Sequence, residues 1–380
     1  MLDYASRNKD HLLFNMWRMG MNSIEKGSTD SWTVLPFEID AAAEEIQRGD
    51  RDDFVRILKD PADRDPRGFI LPADQPDFQT ARKFVNTLLM NGVEVHRATE
   101  AFTVAGTRYP AGSFVVKADQ AFRPHVLDMF EPQQHPNDFA YPGAPPTAPY
   151  DNAGWTLAYQ MGVEFDRVLD GFDGPFQPID AFMLEAEPAR IAGPSSGAAG
   201  FVVDHRINDA FVLVNRALKA GNDVFWMQEA VQLPGGATLP EGAFFFQGEG
   251  QRALLAQASG DTGIPVTAVA ARPGGDALKL RPIRIGLWDQ YGGSMPSGWT
   301  RYILDQFEFD YEVVFPAELT EAELGERYDV LLFPDGAIPA GEGGGGRFGG
   351  AGPDPAEIPA EFHDRLGRVT VDGTVPNILD

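Results

Sequence analysis

No cysteine occurs anywhere in the 380 residues. Disulfides, thiolate metal ligands and every thiol nucleophile are therefore excluded. Histidine is scarce, with six residues, and basic side chains are few: 31 Lys and Arg stand against 56 Asp and Glu, a net charge of −25. A surface this acidic repels phosphate, and no Lys/Arg-rich tract offers a local exception, which argues against a nucleic-acid partner. No run approaches about 18 consecutive apolar residues, so no membrane-spanning helix is expected. The opening Met1-Leu-Asp-Tyr-Ala-Ser-Arg lacks the basic-then-apolar layout of a secretory signal.

What is present is globular: 43% apolar and 23% charged residues, in a length that suits two or three domains. Leu12, Leu13, Met16, Trp17 and Ile24 recur at helical spacing, and Gly27 sits where a helix would stop. Such a Met and aromatic stripe reads as core. Trp32-Thr-Val-Leu-Pro-Phe-Glu-Ile alternates like a strand. Residues 41–60 read as a charged surface helix carrying Ala43, Ile46, Phe54, Val55, Ile57 and Leu58.

From residue 68 the pattern is more regular. Gly68-Phe-Ile-Leu reads as a short buried strand, Phe78 to Met90 as a helix stopped by Asn91-Gly92, and Val93-Glu-Val-His-Arg-Ala as a further strand. Ala101-Phe-Thr-Val and Phe114-Val-Val follow, joined through Pro110-Ala-Gly112. The same series then returns. Gly200-Phe-Val-Val matches Gly68-Phe-Ile-Leu, an offset of 132 residues. Val214-Asn215, Leu218, Gly221 and Glu229-Ala230 match Val85-Asn86, Leu89, Gly92 and Glu100-Ala101 at an offset of 129. Pro240, Gly242 and Phe244 match Pro110, Gly112 and Phe114 at 130. Matches in order, with slippage confined to loops, predict an internal duplication of an α/β unit reading strand, helix, strand, hairpin.

Between the copies, six prolines from Pro132 to Pro149 preclude a regular helix. Trp155-Thr-Leu-Ala-Tyr-Gln-Met-Gly then reads as a short amphipathic helix, and residues 189–200 as a flexible joint. A third unit begins at Arg281. Ile283-Arg-Ile-Gly-Leu-Trp, Tyr311-Glu-Val-Val-Phe and Asp329-Val-Leu-Leu-Phe are strands. The stretches around Trp299 to Phe307 and Glu318 to Arg327 are helices. Strict alternation predicts a parallel, doubly wound sheet of flavodoxin type. The Gly-rich tract 341–350 reads as a mobile loop. Thr374-Val-Pro-Asn-Ile-Leu-Asp reads as the opening turn of another helix, with Pro376 near its start. Three strands alone leave apolar edges uncovered, so truncation of the sequence is expected at the C-terminus, and at the N-terminus too.

Candidate chemistry is sparse. His11, His96, His125, His135, His205 and His363 form none of the spacings that put two ligands on one zinc ion. His125 and His135 read as hydrogen-bonded structural residues. Gly193-Pro-Ser-Ser-Gly197 fits the Gly-x-Ser-x-Gly pattern, but runs into the Gly200 strand and lacks the helix that a nucleophilic Ser195 requires. The abundant carboxylates do not single out a glycosidase pair. The best small-molecule candidate is the loop after the Ile283 strand, with Gly292, Gly293, Ser294, Ser297 and Gly298. Backbone N–H groups at a helix N-terminus hold anions. The competing reading is that Ser297 caps the helix.

Leu2-Asp-Tyr-Ala-Ser-Arg, Leu12-Leu-Phe-Asn and Met19-Gly-Met-Asn-Ser-Ile-Glu-Lys-Gly resemble the segment that follows the catalytic domain in large bacterial zinc carboxypeptidases of the carboxypeptidase A type. So do Tyr141-Pro-Gly-Ala-Pro-Pro-Thr-Ala-Pro-Tyr-Asp-Asn-Ala-Gly-Trp-Thr-Leu and Gly286-Leu-Trp-Asp-Gln-Tyr-Gly-Gly-Ser-Met-Pro-Ser-Gly-Trp-Thr-Arg. The resemblance spans nearly the whole chain. It implies residues 1–67 as a linker region after a missing catalytic domain; the internal repeat gives 68–150 as the first α/β unit with its Pro-rich loop and 151–280 as the second. It implies residues 281–380 as a truncated glutamine-amidotransferase-like domain. It further implies a secreted or periplasmic parent that hydrolyses C-terminal peptide bonds, with peptide substrate and zinc both held by the missing domain. The family's His-x-x-Glu pair, further His and general-base Glu match no position here, so no catalytic or metal-binding residue and no cofactor are expected on this chain. An amidotransferase also needs a cysteine, so the third unit would keep that fold without its chemistry. The alternative expectation is an independent small-molecule or carbohydrate-binding α/β module.

Overall fold

A computed structural model describes residues 1–46, 51–133, 135, 138–149, 154–320, 324–338, 355–370 and 372–379. The fold is mixed α/β, with four antiparallel sheets or hairpins and one parallel sheet among the described residues. Two compact units divide it, Met1–Ala186 and Glu187–Asp380.

The first unit opens with helices α1 (Leu2–Arg7), α2 (Lys9–Ser28), α3 (Pro36–Ile46) and α4 (Arg51–Leu58). Three expectations change here. The stripe on α2 is not core: Leu13, Phe14, Met16 and Trp17 are each more than half exposed. Only the C-terminal part of that helix is seated, where Gly27 lies against the Ala118 carbonyl so closely that no Cβ would fit. The expected strand at residues 32–39 is absent. Thr33 donates its backbone N–H to the Asp65 carboxylate rather than to a neighbouring strand, and Pro36 begins a helix. The expected single helix over 41–60 is two, α3 and α4, with residues 47–50 outside the described ones.

Five strands then form an antiparallel sheet in the order β6-β1-β5-β2-β7: β1 (Gly68–Leu71), β2 (His96–Ala98), β5 (Phe114–Lys117), β6 (Asp166–Val168) and β7 (Phe176–Pro178). Alternation along β1 and β5 sends Phe69, Leu71, Phe114 and Val116 to one face. There they pack under helices α5 (Phe78–Met90) and α6 (Arg123–Phe130), with the one-turn α7 (Leu157–Gln160) beside them. Ile70 and Val115 point the other way, onto the hairpin of β3 (Phe102–Val104) and β4 (Thr107–Tyr109). Asp77 caps α5 by accepting the Thr80 N–H at 3.0 Å. Asn86, on α5, both donates to the Leu184 carbonyl and accepts the Leu184 N–H, fixing the returning chain. Residues 166–178, assigned from sequence to the second unit, supply both edge strands of this sheet. They are three-residue strands, mostly exposed, and β7 ends on Pro178, so their period-two signal is weak.

The second unit repeats the arrangement. Its sheet runs β13-β8-β12-β9-β14, from β8 (Gly200–Val203), β9 (Val224–Met227), β12 (Phe244–Gln247), β13 (Thr267–Val269) and β14 (Ala277–Lys279), all antiparallel. Helices α8 (Ala210–Lys219) and α9 (Arg252–Thr262) cover one face, and a hairpin of β10 (Val231–Gln232) and β11 (Thr238–Leu239) the other. Register is also shared: Gly68 faces Lys117 and Val168, and Gly200 faces Gln247 and Val269.

Beyond residue 280 the pairing becomes parallel. β15 (Ile285–Trp288) lies between β16 (Tyr311–Val314) and β17 (Val330–Leu332), with α10 (Met295–Gln306) and the short α11 (Leu324–Arg327) in the connections. The expected helix over 318–327 is reduced to a 3-10 turn at Glu318–Thr320 and α11, with 321–323 outside the described residues. One helical turn, α12 (Val375–Leu379), forms at the expected place near Pro376. The Gly-rich tract expected to be mobile, 341–350, lies outside the described residues.

Candidate functional site

The glycine- and serine-rich loop leaves the C-terminal end of β15, whose four residues are all buried. Gly292 and Gly293 hold φ of +85° and +81°, the left-handed conformation that reverses the chain there. The loop is closed by hydrogen bonds within itself. The buried Asp289 carboxylate accepts the backbone N–H groups of Gln290 and Ser294, each at 2.8 Å, through Oδ1, and pairs with the Arg301 guanidinium through Oδ2. The protein's own carboxylate thus fills the role an anionic ligand would take in such a turn.

Ser294, rather than Ser297, is the N-cap residue of α10: its backbone is extended and its Oγ accepts the Ser297 N–H at 3.5 Å. Ser297 is fully buried and donates its hydroxyl to the Trp288 carbonyl at 2.9 Å, tying the first turn of α10 to the end of β15. Gly298 donates its N–H to the Ser294 carbonyl and is exposed. The Trp288 Nε1 and Arg301 Nε donors find no hydrogen-bond partner among the described residues. Both are shielded from solvent. The outer face of α10 is more open: Trp299 and Tyr302 are 63% and 55% exposed, their rings edge to face at 6.0 Å.

The remaining sequence candidates are dispersed. Gly193 and Gly197 both have positive φ, and the chain from Ser195 enters β8 directly, with no helix following. His11 lies on α2, His96 on β2 and His125 on α6, while His135 stacks on Trp155 and His363 approaches the Ile358 carbonyl. The buried Nε2 of His125 has no hydrogen-bond partner among the described residues, unlike the role expected for it. No group of three or more His, Asp or Glu side chains is arranged to hold a metal among the described residues.

Trp32, Phe37, Glu45, Ile57, Leu58 and Asp63 border a cavity of about 240 Å³ in the first unit. Its walls come from three separate segments, and no short motif records them.

No helix among the described residues is long and apolar enough to cross a membrane. Comparison with protein-family models, curated proteins and solved structures gave no match in any of the three.

Proposed function

We propose that this chain is the accessory, non-catalytic C-terminal portion of a secreted or periplasmic zinc metallocarboxypeptidase-like protein. In this reading the parent hydrolyses C-terminal peptide bonds, and the present residues dock the peptidase body and shape access of its peptide substrate. The observation that carries the reading is the outer face of α2. Leu13, Phe14, Met16, Trp17 and Met19 are 61%, 53%, 68%, 60% and 68% exposed along a helix whose other end is seated on its own unit. Large apolar side chains exposed together on one helix mark a contact region. The shared strand order and register of the two five-stranded sheets support their origin as duplicated units. The parallel β16-β15-β17 order supports a partial, amidotransferase-like, doubly wound third domain.

The test is binding to a carboxypeptidase A-type catalytic domain from the same organism. A complex is expected, weakened at least tenfold by Trp17→Ser with Met16→Ser, and the chain alone should not cleave peptides. Metal-dependent cleavage by the chain alone, or binding indifferent to those substitutions, overturns the reading.

A second reading, an independent small-molecule or carbohydrate-binding module using the Gly292–Gly298 loop, is favoured by the exposed Trp299 and Tyr302 rings beside that loop, which present faces for sugar stacking. Any ligand of the native state raises the melting temperature. A saccharide-dependent rise that is lost in Trp299→Ala would support this second reading.

A further inference from the structure

The cavity between α3, α4 and the 32–35 segment has a chemistry of its own. At about 240 Å³ it lies below the range of drug-sized pockets and suits a single side chain. Its apolar surface comes from Val34, the buried Ala42, Ile57 and Leu58. Trp32 adds an indole, and the exposed Glu45 and Asp63 add carboxylates.

No Lys, Arg or His is among the described residues that line it. A third lining carboxylate, Glu38, already accepts the Leu35 backbone N–H at 2.7 Å. The Glu45 and Asp63 side chains, by contrast, have no hydrogen-bond or ion-pair partner among the described residues.

The wall bearing Trp32 is held in place. The indole Nε1 donates to the Asp60 carbonyl at 2.8 Å. Thr33 donates its backbone N–H and its hydroxyl to Asp65, at 2.9 and 3.0 Å. Asp65 is itself clamped by Arg123 at 2.6 Å. Fixed walls reduce the ordering cost of binding. The Trp32 ring also already attracts a cation: the Lys59 ammonium stands 5.7 Å from its centre, although Lys59 does not line the cavity.

Two unpaired carboxylates and an indole around a short apolar slot repel an anion and add nothing for a neutral alkyl group. They match a positive charge on an apolar stem. We propose that this cavity receives a lysine side chain of a partner polypeptide. The methylene stem lies along Val34, Ala42, Ile57 and Leu58, and the ammonium is held by Glu45, Asp63 and the Trp32 ring. The chain's net charge of −25 draws such a basic partner toward it from a distance. The proposal stands apart from the carboxypeptidase reading and survives its failure.

The test is titration of the full chain with N-acetyl-lysine amide, its norleucine isostere and the arginine analogue. The Trp32 indole N–H resonance, identified by its loss in Trp32→Phe, is the readout. The lysine compound should shift that resonance at concentrations at least tenfold lower than the norleucine compound. The double variant Glu45→Gln with Asp63→Asn should raise the required concentration at least tenfold. Because both carboxylates are exposed and unpaired, its melting temperature should stay that of the parent chain. Lys59→Met, which removes a competing positive charge, should tighten binding several-fold. Equal response to norleucine, preference for arginine, no response to lysine, or unchanged affinity in the carboxylate variant would each overturn the proposal.

Discussion

The two five-stranded sheets share an order and a register yet fill their cores differently. Under β1, Phe69 stacks on Phe130 at 4.2 Å, and Phe130 meets Phe84 and Phe165 edge to face at 5.0 and 5.1 Å. The corresponding positions under β8 hold Phe201, Leu213 and Ser259, and the Ser259 hydroxyl donates to the Ile264 carbonyl at 2.6 Å. At these positions one core holds a cluster of rings; the other keeps a single ring beside a leucine and a buried polar bond that closes the end of its helix, with Phe244 and Phe246 supplying its further rings. Close packing constrains total volume more than the identity of each side chain. What the sheets hold in common is a glycine opening the first strand, a left-handed glycine before the third, and an asparagine on the first covering helix whose side chain bonds a distant carbonyl.

Arg123 and Arg252 offer the largest expected contrast. Each is the first residue of the helix that follows the third long strand. Arg123 is buried and bonds Asp65 at 2.6 Å, and Asp65 also accepts from Ser31 and Thr33. Burial alone would raise the Asp65 pKa, but the hydrogen bonds from Arg123, Ser31 and Thr33 hold it below the usual carboxylate range. Arg252 instead pairs with Glu249, three residues before it, and with the Pro194 carbonyl. Arg123→Ala strands a buried carboxylate and should cost about 3–5 kcal/mol, read by denaturant unfolding. Arg252→Ala should cost clearly less, because solvent and salt screen its local pair. Equal losses would show that the two helix starts are held in the same way.

The opening glycines give a smaller contrast. A Cβ at Gly68 would stand 2.8 Å from the Val116 carbonyl oxygen and 3.0 Å from the ring of Phe172, which is only partly buried. At Gly200 it would press still closer on both the Phe246 carbonyl and the fully buried Phe245 ring. Both alanine variants should be destabilised, by about 1–3 kcal/mol as for other overpacked sites, with Gly200→Ala the worse. A reversed order in matched thermal melts would mean that the Phe245 ring yields more readily than the Phe172 ring.

Much of this arrangement was legible in the sequence because its signals are local. Gly-Phe-hydrophobic-hydrophobic strands, a helix ended by Asn-Gly, and the Pro-x-Gly-x-Phe entry to the third strand are each set within a few residues. The failures share the opposite cause. Thr33 looked like part of a strand, but Asp65, 32 residues away, takes its N–H. The stripe on α2 has helical spacing, but burial depends on a second surface that periodicity does not supply. At the candidate loop, the turn and the capped helix were readable. The buried Asp289, which takes the Gln290 and Ser294 N–H groups, was not, because Ser294 and Arg301 come within its reach only once Gly292 and Gly293 reverse the chain. The Trp32 cavity was invisible for the same reason: its walls meet only in the folded unit.

The mildest contrast separates the sheets by pH. His96 lies on the inner strand β2, where the counterpart on β9 is Phe225. Its Nδ1 is buried without a hydrogen-bond partner among the described residues. Burial and then the neighbouring Lys117 charge push its pKa below the usual 6.5, outweighing the opposite pull of Glu94 and Asp119. Between the depressed native value and about 6.5, the unfolded chain binds the proton more readily than the folded one, so the first unit loses stability as pH falls through that window. Hydrogen exchange of the β1 and β5 amides should therefore accelerate below about pH 6.5 relative to that of the β8 and β12 amides, after correction for intrinsic rates. His96→Phe should remove the difference, and His96→Gln should remove it while keeping a polar side chain. If the difference persisted in both variants, another group would be responsible, and a carboxyl of the same unit whose pKa burial raises is Asp128 on α6. Raised rather than lowered, Asp128 holds a proton more tightly when folded, so its contribution has the opposite sign: it stabilises the unit as pH falls. An acceleration at low pH that survives the loss of His96 would thus contradict the electrostatic account of this strand as a whole.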